Sequence, residues 1–275
     1  MIAYYAPGGG LGHIKRAGKI LSLKHGGEDG EIWSTSCHGR IRHLGQNLVE
    51  RPLVASRLKR CQLSNEINER LQSSCPTHLY IDTFPSGIMG ELTKLTWRGS
   101  CKIIFIGRRL KWQVYQEAIE GLAHPAFHKA YRVEPLEPAQ ISGMTICSPF
   151  EDITLPEKKV TPKPLPSRTW LITHSGPYSE VASLVRFARE HQSYLGCQGP
   201  IAILSPCQLR SLPEATYQLE SAPSAEPYFQ SAHHIITACG FNIMEETKPY
   251  RHKQLVMPMP RRFDDQFWRA SLIKH

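Results

Sequence analysis

Short apolar runs alternate with stretches whose apolar residues recur at helical spacing, and this rhythm is broken only once. IAYYA (2–6) ends in APGGGLGH, and HIKRAGKILSLKH (13–25) follows as a helix. EIWSTS (31–36) reads as a strand, with HGRIRHLGQNL (38–48) and LSNEINERLQSS (63–74) as helices. HLYID (78–82) is a strand, SGIMGELTKL (86–95) a helix and KIIFIG (102–107) a strand. Such alternation predicts parallel βαβ units with helices on both faces of a sheet. The break is 148–167, which holds Pro149, Pro156, Pro162, Pro164 and Pro166 and has no periodicity. It reads as a linker.

After it the pattern restarts. TWLITHSG (169–176) is a strand entering a turn, and YSEVASLVRFAREHQ (178–192) is a strongly amphipathic helix. PIAILSP (200–206) is a strand, EPYFQSAHH (226–234) a helix, and HIITACG (234–240) a strand and turn. NIMEETKPY (242–250), KQLVMPMP (253–260) and RRFDDQFWRASLIKH (261–275) read as helix, strand and helix. The expected organisation is a Rossmann-like domain over 1–150, a Pro-rich linker over 151–167 and a second Rossmann-like domain over 168–275. Ligands of doubly wound sheets bind at the carboxyl ends of the strands, here expected to face a cleft between the two domains. The fold does not give the function, so the loops must.

The formal net charge is +9, which narrows the partners to nucleic acid, anionic membrane or phosphorylated substrate. Residues 248–275 hold seven Lys/Arg against two Asp, yet no uninterrupted basic block and no aromatic-interleaved RNA motif occurs. A basic rim around a diphosphate site, or an anionic lipid acceptor, fits that distribution better than nucleic acid. The eight cysteines form no CxxC pair and no zinc spacing, so buried free thiols in a reducing cytoplasm are expected. MIAYYAPGGG lacks the regions of a signal peptide, and no run of about 18 apolar residues exists. The expected location is cytoplasmic, with peripheral contact to an anionic membrane as one option.

Four strand-end loops carry the chemistry. In Ala6–His13, Gly9, Gly10 and Gly12 let a ligand approach the backbone, and the following helix offers its N-terminus to an anion. Neither a Walker A motif nor a clean GxGxxG is present. His13, where the loop becomes helix, reads either as a general base near neutral pH or as a capping or packing histidine. Asp82 ends HLYID as either a catalytic or orienting carboxylate, or as part of a helix cap with Ser86. Arg108 and Arg109 end KIIFIG, facing either the cleft or solvent. Ser175 and Gly176 can hydrogen-bond a diphosphate. In the last region Gly240 opens a short helix that carries Asn242 and Glu246, and a carboxylate there can accept from ribose hydroxyls. Asp265–Gln266 can bind sugar hydroxyls, or Asp264–Asp265 can complement a helix dipole. No third ligand turns that acid pair into a metal site.

These loops resemble those of the GT-B glycosyltransferases, most closely the lipid-II-forming N-acetylglucosaminyltransferase and the bacterial predicted glycosyltransferases around it. The resemblance rests on the glycine loop with His13, on the G-x5-E spacing from Gly240 to Glu246, and on DQFWRA from Asp265 to Ala270. It implies a GT-B fold, a UDP-sugar in the C-terminal domain and an acceptor in the N-terminal one. GLGHIKR (11–17) is also similar to the GxGHxxR loop of the UDP-sugar hydrolase of pseudaminic acid synthesis. That likeness implies a role for Arg16 beside His13, with water as acceptor. The expectation is therefore a metal-independent transfer of a sugar from a nucleoside-diphosphate sugar to a small-molecule, glycan or lipid-linked hydroxyl. The sugar nucleotide is substrate and no cofactor is needed. A UDP-sugar hydrolase and a non-catalytic GT-B subunit are the alternatives.

Overall fold

The structure, a computed structural model, describes residues 1–8, 11–35, 47–53, 59–96, 100–156, 160–206, 209, 212, 215–220 and 224–273. Gly9, Gly10, Cys37, Cys207 and most of the helix expected over 38–48 lie outside the described residues. The chain divides into two compact units. Unit 1 is Met1–Pro156 with Arg262–Asp264, and unit 2 is Glu157–Arg261 with Asp265–His275.

Among the described residues unit 1 carries seven parallel strands: β1 (Ile2–Ala6), β2 (Gly30–Ser34), β3 (Leu48–Pro52), β4 (His78–Asp82), β5 (Lys102–Gly107), β6 (Lys129–Arg132) and β7 (Glu151–Asp152). Their order is β3-β2-β1-β4-β5-β6-β7. Its helices are α1 (Leu11–His25), α2 (Arg60–Ser74), α3 (Trp112–Ala118) and α4 (Pro138–Ser142). Alternate residues of each central strand enter different cores. Ala3, Tyr5, Ile81 and Phe105 pack with Leu63, Ile67 and Leu71 of α2. Tyr4, Tyr80, Ile104 and Ile106 pack with Ile14, Ala17, Ile20 and Leu21 of α1. Burial on both faces explains why IAYYA, and KIIFIG after its exposed Lys102, hold no charged residue. Each fully buried Ile or Leu contributes about 1.5–3 kcal/mol relative to exposure. Phe263 also belongs to this unit, its ring 5.7 Å from that of Phe84 and 5.8 Å from that of Tyr115.

Unit 2 has β8 (Trp170–Thr173), β9 (Ile201–Leu204), β10 (Thr216–Gln218), β11 (His234–Thr237) and β12 (Gln254–Val256), all parallel, in the order β10-β9-β8-β11-β12. α5 (Tyr178–Tyr194) buries Val181, Leu184, Val185 and Ala188, a one-faced helical stripe. Tyr228 and Phe229 of α6 (Glu226–Phe229) cover the opposite face. α7 (Phe241–Glu246), a 3-10 helix (Lys248–Lys253) and α8 (Gln266–Ser271) complete the unit.

Several sequence expectations are corrected. Residues 86–95 are turns, not a helix, because Gly87 and Gly90 have φ of 82° and 80°. Leu48 begins a strand rather than ending a helix. The closing helix is confined to Gln266–Ser271, and the one read over 226–234 to Glu226–Phe229. Strands β6 and β10 and helices α3 and α4 are additional. Cys101 and Cys239 are buried as expected, but Cys61, Cys75 and Cys147 are exposed, Cys61 on α2 and the other two outside the helices and strands. No helix among the described residues is long and apolar enough to cross a membrane.

Candidate active site

In both units the first strand of the sheet lies between two others, so the chain winds away from it in opposite directions. The carboxyl ends at such a switch point are where doubly wound sheets open a crevice. In unit 1 these are the ends of β1 and β4.

β1 runs into Pro7 and Gly8, and α1 begins at Leu11. Gly8 has a φ of 132°, and a Cβ there would lie 2.8 Å from Cδ2 and 2.9 Å from Nε2 of His13. Glycine is thus demanded twice, by the backbone and by the imidazole resting on it. Gly12 and His13 lie in the first turn of α1, and Arg16 follows on the same helix face. Both side chains reach Asp82, the last residue of β4. His13 Nδ1 is 2.6 Å from Asp82 Oδ2. Arg16 donates from Nε to Oδ1 at 2.9 Å and from Nη2 to Oδ2 at 2.6 Å. Arg16 Nη2 also donates to Thr83 Oγ1 at 3.0 Å. The side chains of Arg16 and Asp82 are wholly buried, while His13 keeps 12% of its side chain exposed.

Burial alone would raise the Asp82 carboxyl, but the Arg16 guanidinium and then His13 hold it well below the usual carboxylate range. Asp82 is therefore ionised at neutral pH. A bare Nδ1 lone pair could not rest 2.6 Å from it, so Nδ1 carries the proton and Nε2 is the free lone pair. Burial lowers the His13 pKa, opposed by Asp82 and assisted by Arg16 and Arg108, so the ring is neutral at pH 7. The carboxylate thus fixes the orientation and tautomer of the imidazole, an arrangement chemically able to accept a proton at Nε2.

The turn after Asp82 is strained. Thr83 has a φ of 66°, uncommon for a β-branched residue, and Phe84 N donates to Asp82 O across it at 2.7 Å. Beyond it the buried Glu91 carboxylate accepts from the N–H groups of Ile88 and Met89 and from the Tyr5 hydroxyl. Those bonds replace the helix expected there, so Asp82 caps nothing. Ser86 bonds the ring of His124 instead. Arg108 pairs with Asp264 at 3.4 Å and Arg109 with Glu137 at 3.3 Å. Neither arginine is simply solvated.

In unit 2 the equivalent ends are those of β8 and β11. Ser175 is exposed in the loop before α5. Gly176 has no room for a Cβ, which would overlap His174 Nε2 and Glu180 Oε2. Those two groups are 2.6 Å apart, and Arg261 grips Glu180 bidentately, both bonds at 2.6 Å. Burial lowers the His174 pKa, and the Arg261 bonds lower that of Glu180. Gly240 caps α7 with a φ of −67°, open to any residue, and a Cβ would meet only Ile243 Cγ2 at 4.0 Å. Nothing local demands glycine there, and its absent side chain keeps space open over the turn. Asn242 and Glu246 are half-buried on α7. Asp265 Oδ1 accepts from Trp268 N at 3.2 Å and so caps α8, the dipole-complementing role open in the sequence. Gln266 Oε1 accepts from Cys239 N at 3.2 Å and Met259 N at 3.0 Å, tying the β11 turn to the segment after β12.

Unit 1 thus gathers His13, Arg16 and Asp82, and unit 2 holds Ser175, Gly176, Gly240, Asn242, Glu246, Asp265 and Gln266. Thr83, Glu91, Glu180 and Arg261 were not singled out in the sequence. Glu180 alone leaves a trace there, as an acid in a first helical turn. Among the described residues no group of three metal-ligating side chains occurs.

No family model and no curated protein matches the sequence. Solved structures do match the fold. The chain is 13% identical to the glycosyltransferase of kitacinnamycin, with a TM-score of 0.60, 99% of this chain and 83% of that one being covered. It is 13% identical to the spinosyn rhamnosyltransferase SpnG complexed with thymidine diphosphate, at a TM-score of 0.57 over 98% and 83%. It is 12% identical to the glycosyltransferase SnogD from Streptomyces nogalater, at 0.53 over 95% and 83%. With two parallel doubly wound sheets and these neighbours, the chain has the GT-B glycosyltransferase fold.

Proposed function

We propose that the protein transfers a sugar from a nucleoside-diphosphate sugar to an acceptor hydroxyl without a metal ion. The observation that carries this reading is the His13–Asp82 pair, an imidazole held neutral with Nε2 bare. In the proposed step Nε2 takes the proton of the acceptor hydroxyl as its oxygen attacks the anomeric carbon. The bond from that carbon to the diphosphate breaks, and the nucleoside diphosphate leaves. Asp82 stabilises the imidazolium that forms, and Arg16 keeps Asp82 ionised.

The donor is assigned to unit 2. Gly240 and Asn242 would lie against the nucleotide, Glu246 would accept from ribose hydroxyls, and Ser175 with the Gly176 N–H would meet the diphosphate at the N-terminus of α5. Asp265 and Gln266 are proposed near the sugar. The Gln266 carbonyl oxygen is already committed to two backbone N–H groups, so its amide NH2 is the group left to donate. The acceptor is assigned to unit 1, where Gly8 lies against the His13 ring and Gly12 precedes it in the first turn of α1. That SpnG is seen with thymidine diphosphate supports a nucleoside diphosphate here, UDP or TDP.

The test is a thermal-shift screen with UDP, TDP, GDP and CMP, followed by turnover of the stabilising sugar nucleotide. A ligand at 100 times its Kd adds about 2.7 kcal/mol of stability. Absence of a shift with every nucleotide overturns the reading. Release of free sugar at full rate from donor alone makes water the acceptor, and the protein a hydrolase.

A further inference from the structure

His78 opens the strand that Asp82 closes, and it lines a cavity on the α1 face of the sheet. The cavity encloses about 490 Å³ and is lined by side chains of β4, β5, β6 and the end of α1. The parallel register explains which side chains meet there. His78 pairs with Lys102, Tyr80 with Ile104, Ile104 with Lys129 and Ile106 with Tyr131. Alternate residues share a face, so His78, Tyr80, Lys102, Lys129 and Tyr131 all project on the α1 side. Lys24, in the last turn of α1, reaches the same place.

The polar groups are arrayed in one sense. Lys24 Nζ lies 4.2 Å and Lys129 Nζ 5.1 Å from the centre of the Tyr131 ring, which steers both ammonium groups. Tyr80 hydroxyl is 2.8 Å from His25 Nε2, and the His25 and His78 rings are 5.3 Å apart. Two carboxylates approach. Glu151 takes Lys129 at 2.7 Å, and the largely exposed Glu28 meets His25 Nδ1 at 3.1 Å. Lys24 and Lys102 pair with no carboxylate among the described residues. Two lysines without a paired carboxylate therefore line one cavity together with Tyr80 and Tyr131. Their combined charge equals that of one phosphate monoester dianion.

We infer that this cavity is a binding site for a phosphate-bearing ligand, its phosphoryl oxygens taken by Lys24 and Lys102, with His78 beside them. A soluble phosphate ester and a phosphomonoester lipid headgroup share this chemistry. Four residue steps of about 3.3 Å place His78 about 13 Å from Asp82 along β4, and none of the lining residues is His13, Arg16 or Asp82, so the cavity is separate from the His13 site. The inference does not rest on the transferase reading.

The experiment titrates inorganic pyrophosphate into the wild type and a Lys24→Gln, Lys102→Gln double variant, following the imidazole resonances of His25 and His78 by NMR. Both lysines are exposed, so the variant keeps the fold. The expected result is a saturable shift of both histidines in the wild type, with affinity falling about ten-fold or more in the double variant. A Gly240→Ala variant, altered in unit 2, should keep the shift. Flotation on phosphatidate against phosphatidylcholine vesicles distinguishes the sources. Phosphatidate-selective recovery that the double variant loses identifies a lipid headgroup, and pyrophosphate binding without recovery identifies a soluble ester. Histidine signals unmoved by pyrophosphate, or equal affinity in the double variant, overturns the inference.

Discussion

Asp82 Oδ2 sits 2.6 Å from His13 Nδ1 while the same carboxylate is gripped at both oxygens by Arg16. One buried anion thereby sets the tautomer of the imidazole and is itself kept ionised. Loss of the imidazole should remove chemistry and spare binding. His13→Ala is expected to lower kcat by about 10²–10⁴-fold, with the nucleotide-induced thermal shift unchanged. Steady-state kinetics with calorimetry checks both. Wild-type turnover in the variant would exclude His13 from the reaction.

Asp82→Asn should act on two properties at once. It leaves the buried Arg16 without its counter-charge, and breaking such a pair costs about 3–5 kcal/mol of stability. It also frees the imidazole to adopt the other tautomer. Urea unfolding should show the destabilisation, and kcat should fall even at temperatures where the variant is folded.

The pH dependence follows from the two shifts. His13 is lowered from 6.5 by burial, so activity should rise with pH through a pKa below that value. Below 6.5 the unfolded chain takes the proton first, so this residue makes stability fall as pH falls towards its folded pKa. The Asp82 contribution, from a depressed pKa, is fully present above the ordinary carboxylate range and is lost only as pH falls through the folded value. Denaturation measured between neutral and strongly acid pH should show the two losses in that order.

Gly8→Ala places a methyl group against the His13 ring at a φ of 132°. We expect lost activity with nucleotide binding retained, because the ring must leave its position over Gly8. A fully active Gly8→Ala protein would show that this placement is dispensable.

Gly240→Ala tests the donor assignment from the opposite direction. The backbone accepts alanine and the methyl group meets only Ile243, so stability should change little. The nucleotide-induced shift should be lost. Glu246→Ala should weaken nucleotide binding by about 1.5–3 kcal/mol. Retention of the full shift by both variants would move the nucleotide elsewhere.

The central strands were legible because burial on both faces leaves an apolar run with sharp ends. IAYYA, HLYID and KIIFIG have the bounds that their sequences announce. Residues 86–95 have helical apolar spacing, but Gly87 and Gly90 turn the chain with positive φ and the Glu91 side chain takes the N–H groups of Ile88 and Met89. His13 and Asp82 stood out as strand-end residues, and Arg16 entered only through a resemblance. The pairing of Glu180 with Arg261 spans 81 residues, and that of Arg108 with Asp264 is similarly remote. Side-chain contacts of that range leave no periodicity to read.

Phe263 packs into the unit 1 core against Phe84 and Tyr115, although most of unit 2 precedes it in the chain. During synthesis the first sheet can assemble early, but that part of its core stays open until the ribosome has passed residue 263. A gene truncated after Pro156 would yield a protein with two aromatic rings bared where Phe263 belongs. Such a fragment calls for the 262–264 segment to be supplied in trans, and a short peptide carrying it becomes a natural candidate for complementation.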